Sequence, residues 1–301
     1  MTDTSPAGHQ LTADNRSGYL LFVEFQDGYA FRNMIEYLKA SGNKAGSFVF
    51  TRQGITYKMA NQKRTVVNCV QIFGHLLSCY VYNAKEPQIS VGLTLAMFRT
   101  NTKSIGKRDG AQLFMLPNDP NLYIRQLSAT VKGTSENLGF IRPQHGDDFT
   151  FDFEIDDYTR GEDNPNCTIP TSDFSKMAAS MTSIHCKSVI FKGMSKGVIC
   201  QGMLQGAVVG RVTHFGICET GTNEQQTNKA PKLWIMRDEE IGETINIRVD
   251  EDIVKALAKL NNMSTSGIVR VYMETGMPML LLCNISNYGF LRIYLEGPDG
   301  K

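Results

Sequence analysis

The sequence has no paired cysteines and no catalytic signature. It contains no CxxC, no HExxH and no G-x-S-x-G, which excludes the paired-cysteine zinc modules, the zincins and the nucleophile-elbow hydrolases. The nearest approaches to a phosphate loop, Gly106-Lys-Arg-Asp-Gly110 and Gly193-Met-Ser-Lys-Gly197, lack both the spacing and the Lys-Ser/Thr ending. The five histidines are dispersed, and the one adjacent pair, His185-Cys186, opens a strand on which the two side chains point to opposite faces. No catalytic residue, metal or cofactor is expected, and the chain is not read as an enzyme.

Other absences narrow the setting. The seven cysteines are odd in number and scattered, and several sit within apolar runs, as buried thiols of a reducing, intracellular compartment do. No apolar run reaches eighteen residues, so no membrane span is expected; Met279–Cys283 has only the length of a strand. The polar N-terminal stretch lacks the apolar segment of a signal peptide, and the Asn15, Asn166, Asn262 and Asn284 sequons are expected to carry nothing. Charge is nearly balanced, 31 Lys and Arg against 30 Asp and Glu, so any charged partner must be argued from where the charges lie.

What the sequence does have is a duplication. Ser47-Phe-Val-Phe50, a polar turn, Gly54-Ile55 and Val66-Val67 recur as Ser188-Val-Ile-Phe191, a polar turn, Gly197-Val198 and Val208-Val209. Each half then closes in a hairpin, around Asn118–Asn121 and around Thr275–Pro278. A repeat of half the chain is too long for a solenoid and points to two fused copies of one domain, the alternative being chance similarity between β-rich segments. Residues 1–18 form a polar tail, 19–156 the first domain, 157–166 a turn-rich linker and 167–301 the second domain.

Within each domain the periodicity predicts two helices among about nine strands, an α+β chain. The helices run from about Gly28 to Ala40, from Leu95 to Ile105, from Thr171 or Ser172, and from Asp250 or Glu251. The first and third carry apolar stripes at i, i+3, i+4 and i+7: Phe31, Met34, Ile35 and Leu38, then Phe174, Met177, Ala178 and Met181. The glycines and proline of Thr130–Asp148 argue against regular structure there. Phe149–Asp156 alternates apolar and acidic residues, as a half-buried strand with an acidic outer face does.

The helices concentrate basic charge. Arg32, Lys39, Arg99 and Lys103 lie on the first two, Lys107 and Arg108 in the turn that follows, and Lys176, Lys255 and Lys259 on the other two. Glu36 is the acid set against them. A solvated face explains any one such helix. Four together suit a phosphate backbone, which attracts cations irrespective of base sequence. No aromatic residues interleave the charges as they do in single-strand binders.

Several local patterns resemble the DNA sliding clamps of the proliferating cell nuclear antigen (PCNA) family. Asn33-Met-Ile-Glu-Tyr-Leu-Lys39 resembles their first helix, Gly54-Ile-Thr-Tyr-Lys-Met59 a strand ending in Met, and Met97-Phe-Arg99 their second helix. Gly276–Leu282, Asn287–Leu295 and Pro298 resemble the closing pattern of the family. The resemblance implies two tandem clamp domains, with antiparallel sheets outside and two helices per domain facing the interior of a homotrimeric ring. It implies a processivity factor that encircles double-stranded DNA and tethers DNA polymerase and other replication or repair enzymes through short peptide motifs. The length and polar extension are similar to those of a viral member, which implies sites of viral DNA replication in host cytoplasm or nucleus.

The family's partner groove carries over to Met59, Val66, Tyr158, Pro278, Tyr294 and Pro298. Lys132 and Arg142, in the long Thr130–Asp148 segment, become further candidate DNA contacts. The resemblance also sets two half-buried strands at opposite ends of the subunit, which implies a trimer interface of Phe149, Phe151, Asp152, Phe153 and Glu154 against Val209, Arg211 and Phe215. The chain departs from the family in its neutral charge and in Ala179, where a second basic residue is usual. A nucleic-acid-binding accessory or packaging protein that forms no ring, and a scaffold without nucleic acid, are the rival readings.

Overall fold

The computed structural model describes residues 18–128, 137–144, 165–194, 197–205, 208–216, 245–263 and 267–296. The first half runs β1 (Leu21–Phe25), α1 (Gly28–Ala40), β2 (Ala45–Thr51), β3 (Gly54–Ala60), β4 (Val66–Phe73), β5 (Cys79–Tyr82), β6 (Gln88–Thr94), α2 (Leu95–Thr102), β7 (Gly110–Met115), β8 (Leu122–Leu127) and β9 (Leu138–Ile141). The second half repeats the order with β10 (Cys167–Pro170), α3 (Thr171–Ser183), β11 (Ser188–Met194), β12 (Gly197–Met203), β13 (Val209–Gly216), β14 (Asn246–Asp250), α4 (Glu251–Leu257), β15 (Ile268–Tyr272), β16 (Met279–Ile285) and β17 (Gly289–Leu295).

The pairing repeats as well. The first half builds β5-β1-β7-β8-β9 and β6-β2-β3-β4; the second builds β10-β15-β16-β17 and β14-β11-β12-β13, with no counterpart of β5 among the described strands. β17 joins β4 antiparallel, from Gly289 opposite Ile72 to Leu295 opposite Val66, which fuses the halves into one eight-stranded sheet. All pairings are antiparallel.

The helices cover one side of the sheets in a single row, α2 against α1, α1 against α4, and α4 against α3. α1 forms because Phe31, Met34, Ile35 and Leu38 share one buried face and the Asp27 carboxylate accepts the Ala30 N–H at 2.9 Å. Beneath it Tyr37 donates to Asn68 Oδ1 at 3.0 Å and Asn68 Nδ2 donates to Ser41 Oγ at 2.9 Å, so the polar groups buried at the β4 seam are paired.

Two expectations need correction. α2 ends at Thr102, not Ile105, because the buried Thr102 hydroxyl turns back to the Phe98 carbonyl while Ile105 N–H closes a tight turn onto Thr102 O. The stretch expected to be irregular after Thr130 holds β9, whose register from Ile141 opposite Leu122 to Leu138 opposite Arg125 accommodates Gly139. Residues 149–156 and 157–164 lie outside the described residues.

Burial pushes the Cys69 thiol up to about 11 and those of Cys167 and Cys283 up to about 12. A thiol whose folded pKa is raised contributes its full stability below the unfolded value of about 8.5 and loses it as pH rises toward the folded one. The melting temperature should therefore hold to about pH 8 and fall from there to pH 11, and alkylation of Cys167 and Cys283 in the native protein at pH 8 should be slow until it unfolds.

Candidate nucleic-acid interface

The helix row presents its cations on the side away from the sheets, and they fall into two classes. Lys39, Arg99, Lys103, Lys107 and Arg108 are exposed and make no ion pair among the described residues. Lys39 stands in the last turn of α1, where the helix dipole favours a cation. Lys176 and Lys255 are also exposed, but each faces acids on its own helix. Lys176 lies 3.7 Å from Asp173, and Lys255 lies 2.8 Å from Glu251 and 3.8 Å from Asp252. The hydrogen bond to Glu251 raises the Lys255 pKa and lowers that of Glu251. Lys259 is half-buried. The acids of α3 and α4 correct the expectation that Glu36 is the one opposing charge.

Arg32 is a second correction. Its Nε lies 3.0 Å from Glu36 and its Nη1 donates to the Ile105 carbonyl at 2.8 Å, so the guanidinium braces the turn after α2 instead of projecting outward. The sequence reading missed Lys44. It is exposed, and its carbonyl accepts the Leu95 N–H at 2.9 Å, which sets it between the end of α1 and the start of α2. A lysine in a short connection has no periodicity to mark it.

β9 and β13 end their sheets among the described strands. Both carry apolar side chains in solvent: Leu138 (52% exposed) and Phe140 (61%) on β9, Val209 (46%) and Val212 (42%) on β13, with Val208 just before it. Arg211 is exposed too, whereas Phe215 turns inward and stacks over Phe174. Phe215 is therefore a core residue and is withdrawn from the edge. Phe149, Phe151, Asp152, Phe153 and Glu154 lie outside the described residues, as does Lys132. Arg142 is exposed directly after β9.

The groove residues do not converge. Tyr294 packs on the outer face of the large sheet against a small cluster of Tyr272, Leu280 and Leu282, with Pro278 at the head of β16. Met59 and Val66 turn to the opposite, helix-covered face. Val67, directly across from Tyr294, is the residue that shares its face. Tyr158 and Pro298 lie outside the described residues.

The chain superposes on a chain in the crystal structure of a PCNA2–PCNA3 complex from Sulfolobus tokodaii with a TM-score of 0.69, covering 93% of this chain and 100% of that one. The fold is that of a sliding clamp. Sequence identity to that structure is 15%, so the likeness is one of architecture. No protein-family model matches the sequence, and no curated protein matches it. Within the clamp fold, β1 to β9 and β10 to β17 are the two tandem domains, and the helix row is one continuous layer.

Proposed function

We propose that this protein is a DNA polymerase processivity factor, a homotrimeric ring that encircles duplex DNA and acts as a non-catalytic tether. One observation carries the reading. The joint between β4 and β17 fuses the two domains within the chain, and β13 and β9 are its counterparts by internal repetition, each with its outer edge unpaired among the described strands. Two open edges at the ends of one subunit can satisfy each other head to tail, and a closed set of such joints is a cyclic ring. The helix row then faces the hole, where non-specific phosphate contacts hold DNA while leaving it free to slide.

Mass in solution tests this directly: three times 33.5 kDa supports the ring, and a monomer that still binds DNA supports a non-ring accessory protein. We infer polymerase and other replication enzymes as partners, docking by short peptides at the outer face around Tyr294 and Pro278. The length and polar N-terminal extension resemble those of the PCNA-like protein of African swine fever virus. On that resemblance we infer a viral protein acting where viral DNA replicates.

The two classes of cation predict unequal effects. Replacing Lys39, Arg99 and Lys103 together with alanine should weaken duplex binding similarly for all sequences. The slope of log affinity against log salt should shrink by about 0.9 for each phosphate that is no longer neutralised. Replacing Lys176 and Lys255 should change the slope less, because Asp173, Glu251 and Asp252 already oppose those charges. Equal slopes for the two variants would remove the distinction.

A further inference from the structure

The turn that carries Lys107 and Arg108 is built, not loose. Ile105 anchors it in the core, and Arg32 holds the Ile105 carbonyl at 2.8 Å. Asp109 closes the tip. Its Oδ2 accepts the Gly106 N–H at 2.7 Å, and its own N–H donates to the Gly106 carbonyl at 3.2 Å, which leaves Lys107 and Arg108 at the apex. The same Oδ2 accepts from Gln126 Nε2 at 2.6 Å. Gln126 Oε1 accepts from Asn137 Nδ2 at 3.1 Å, and the Gln126 N–H donates to the Asn137 carbonyl at 3.1 Å. Asn137 immediately precedes Leu138, the first residue of the edge strand β9.

A carboxylate beside two cations on an anion-binding surface works against binding by its charge, so its contribution must be geometric. We propose that Asp109 is a positioning residue that holds Lys107 and Arg108 for contact with the phosphodiester backbone of duplex DNA. Through Gln126 and Asn137 it ties that contact to the strand that closes the ring. The proposal rests on the ring reading given above, and it makes the DNA-contacting tip and the subunit joint parts of one hydrogen-bonded unit.

Coulomb attraction alone predicts that Asp109→Ala tightens DNA binding, since it removes a negative charge. Positioning predicts the opposite sign. With the full chain and a salt titration on duplex DNA, Asp109→Ala should weaken binding several-fold and shrink the salt slope. The slope should approach that of the Lys107→Ala/Arg108→Ala variant, which is expected to fall by up to about 1.8 for two phosphates. Adding Asp109→Ala to that double variant should weaken binding no further. Asn137→Ala, which keeps the backbone of β9, should weaken binding while the trimer persists, and it serves as the test if Asp109→Ala does not fold. Binding by Asp109→Ala as tight as the native protein's, or a further weakening in the triple variant, overturns the proposal, as does an unaffected Asn137→Ala. If the native protein is a trimer retained on DNA, those outcomes sink only this proposal; a native monomer sinks the ring reading itself.

Discussion

Phe140→Asp is expected to turn the proposed ring into folded monomers. Phe140 is 61% exposed in the single subunit and leans on Tyr123 with ring centroids 6.2 Å apart, so the subunit is little destabilised when it is replaced. At a closed joint the same ring would be buried, contributing about 1.5–3 kcal/mol at each of three interfaces. Aspartate forfeits that and adds a charge that must be desolvated. Val212→Asp on β13 should do the same from the other side, since Val212 is 42% exposed on its edge. Mixing the two monomeric variants gives a sharper result. A head-to-tail joint uses β9 of one chain and β13 of the next, so one variant keeps a sound β13 and the other a sound β9. The mixture should form one-to-one dimers and stop there. Sedimentation resolves the species; trimers from either variant alone would mean that the ring joins elsewhere.

Gly54→Ala is expected to be one of the two most damaging glycine-to-alanine changes among the described residues. Gly54 has φ +147°, and a Cβ there would run into the Ile72 carbonyl oxygen across the β3–β4 pair. The backbone penalty and the collision together should cost about 3 kcal/mol or more, lowering the melting temperature by roughly 6–12 °C. Gly197, its counterpart in the repeat, has φ +149° and meets the Phe215 carbonyl oxygen in the same way, so Gly197→Ala should match it. Gly276 supplies the control. Its φ is +78° but nothing stands within 4 Å, so Gly276→Ala should cost only about 1 kcal/mol. Similar melting temperatures for all three variants would show that the collision is relieved by small backbone shifts.

The matched Gly54 and Gly197 also show why the duplication was legible in the sequence. A glycine forced by a neighbouring carbonyl is fixed by backbone geometry, and the Phe50 and Phe191 that precede it are fixed by burial in the core. The helical stripes were legible because burial of one face leaves a period of 3.6. β9 was not, since a four-residue edge strand with Gly139 at its centre has too few side chains to show alternation. The site was legible in residue type and less so in role. Spacing put Arg32 on a basic face, one helical turn before Glu36, but only the fold brings the Ile105 carbonyl to its guanidinium. The family resemblance likewise made Phe215 an interface residue, and its stacking on Phe174 depends on a core that the sequence does not draw.

The seam between β4 and β17 also sets the order in which the chain can finish folding. β4 ends at Phe73 and its partner ends at Leu295, so at usual synthesis rates the ribosome needs on the order of ten to forty seconds to make the strand that covers it. For that interval the first domain can hold its own sheet and helices while β4 stays open. A nascent chain in that state offers a sticky edge to any neighbour on the same message, and a β17 delivered by that neighbour would produce an exchanged pair with every native hydrogen bond in place. Slow synthesis at high local concentration should therefore favour domain-swapped assemblies, and a chain truncated before Gly289 should aggregate through β4.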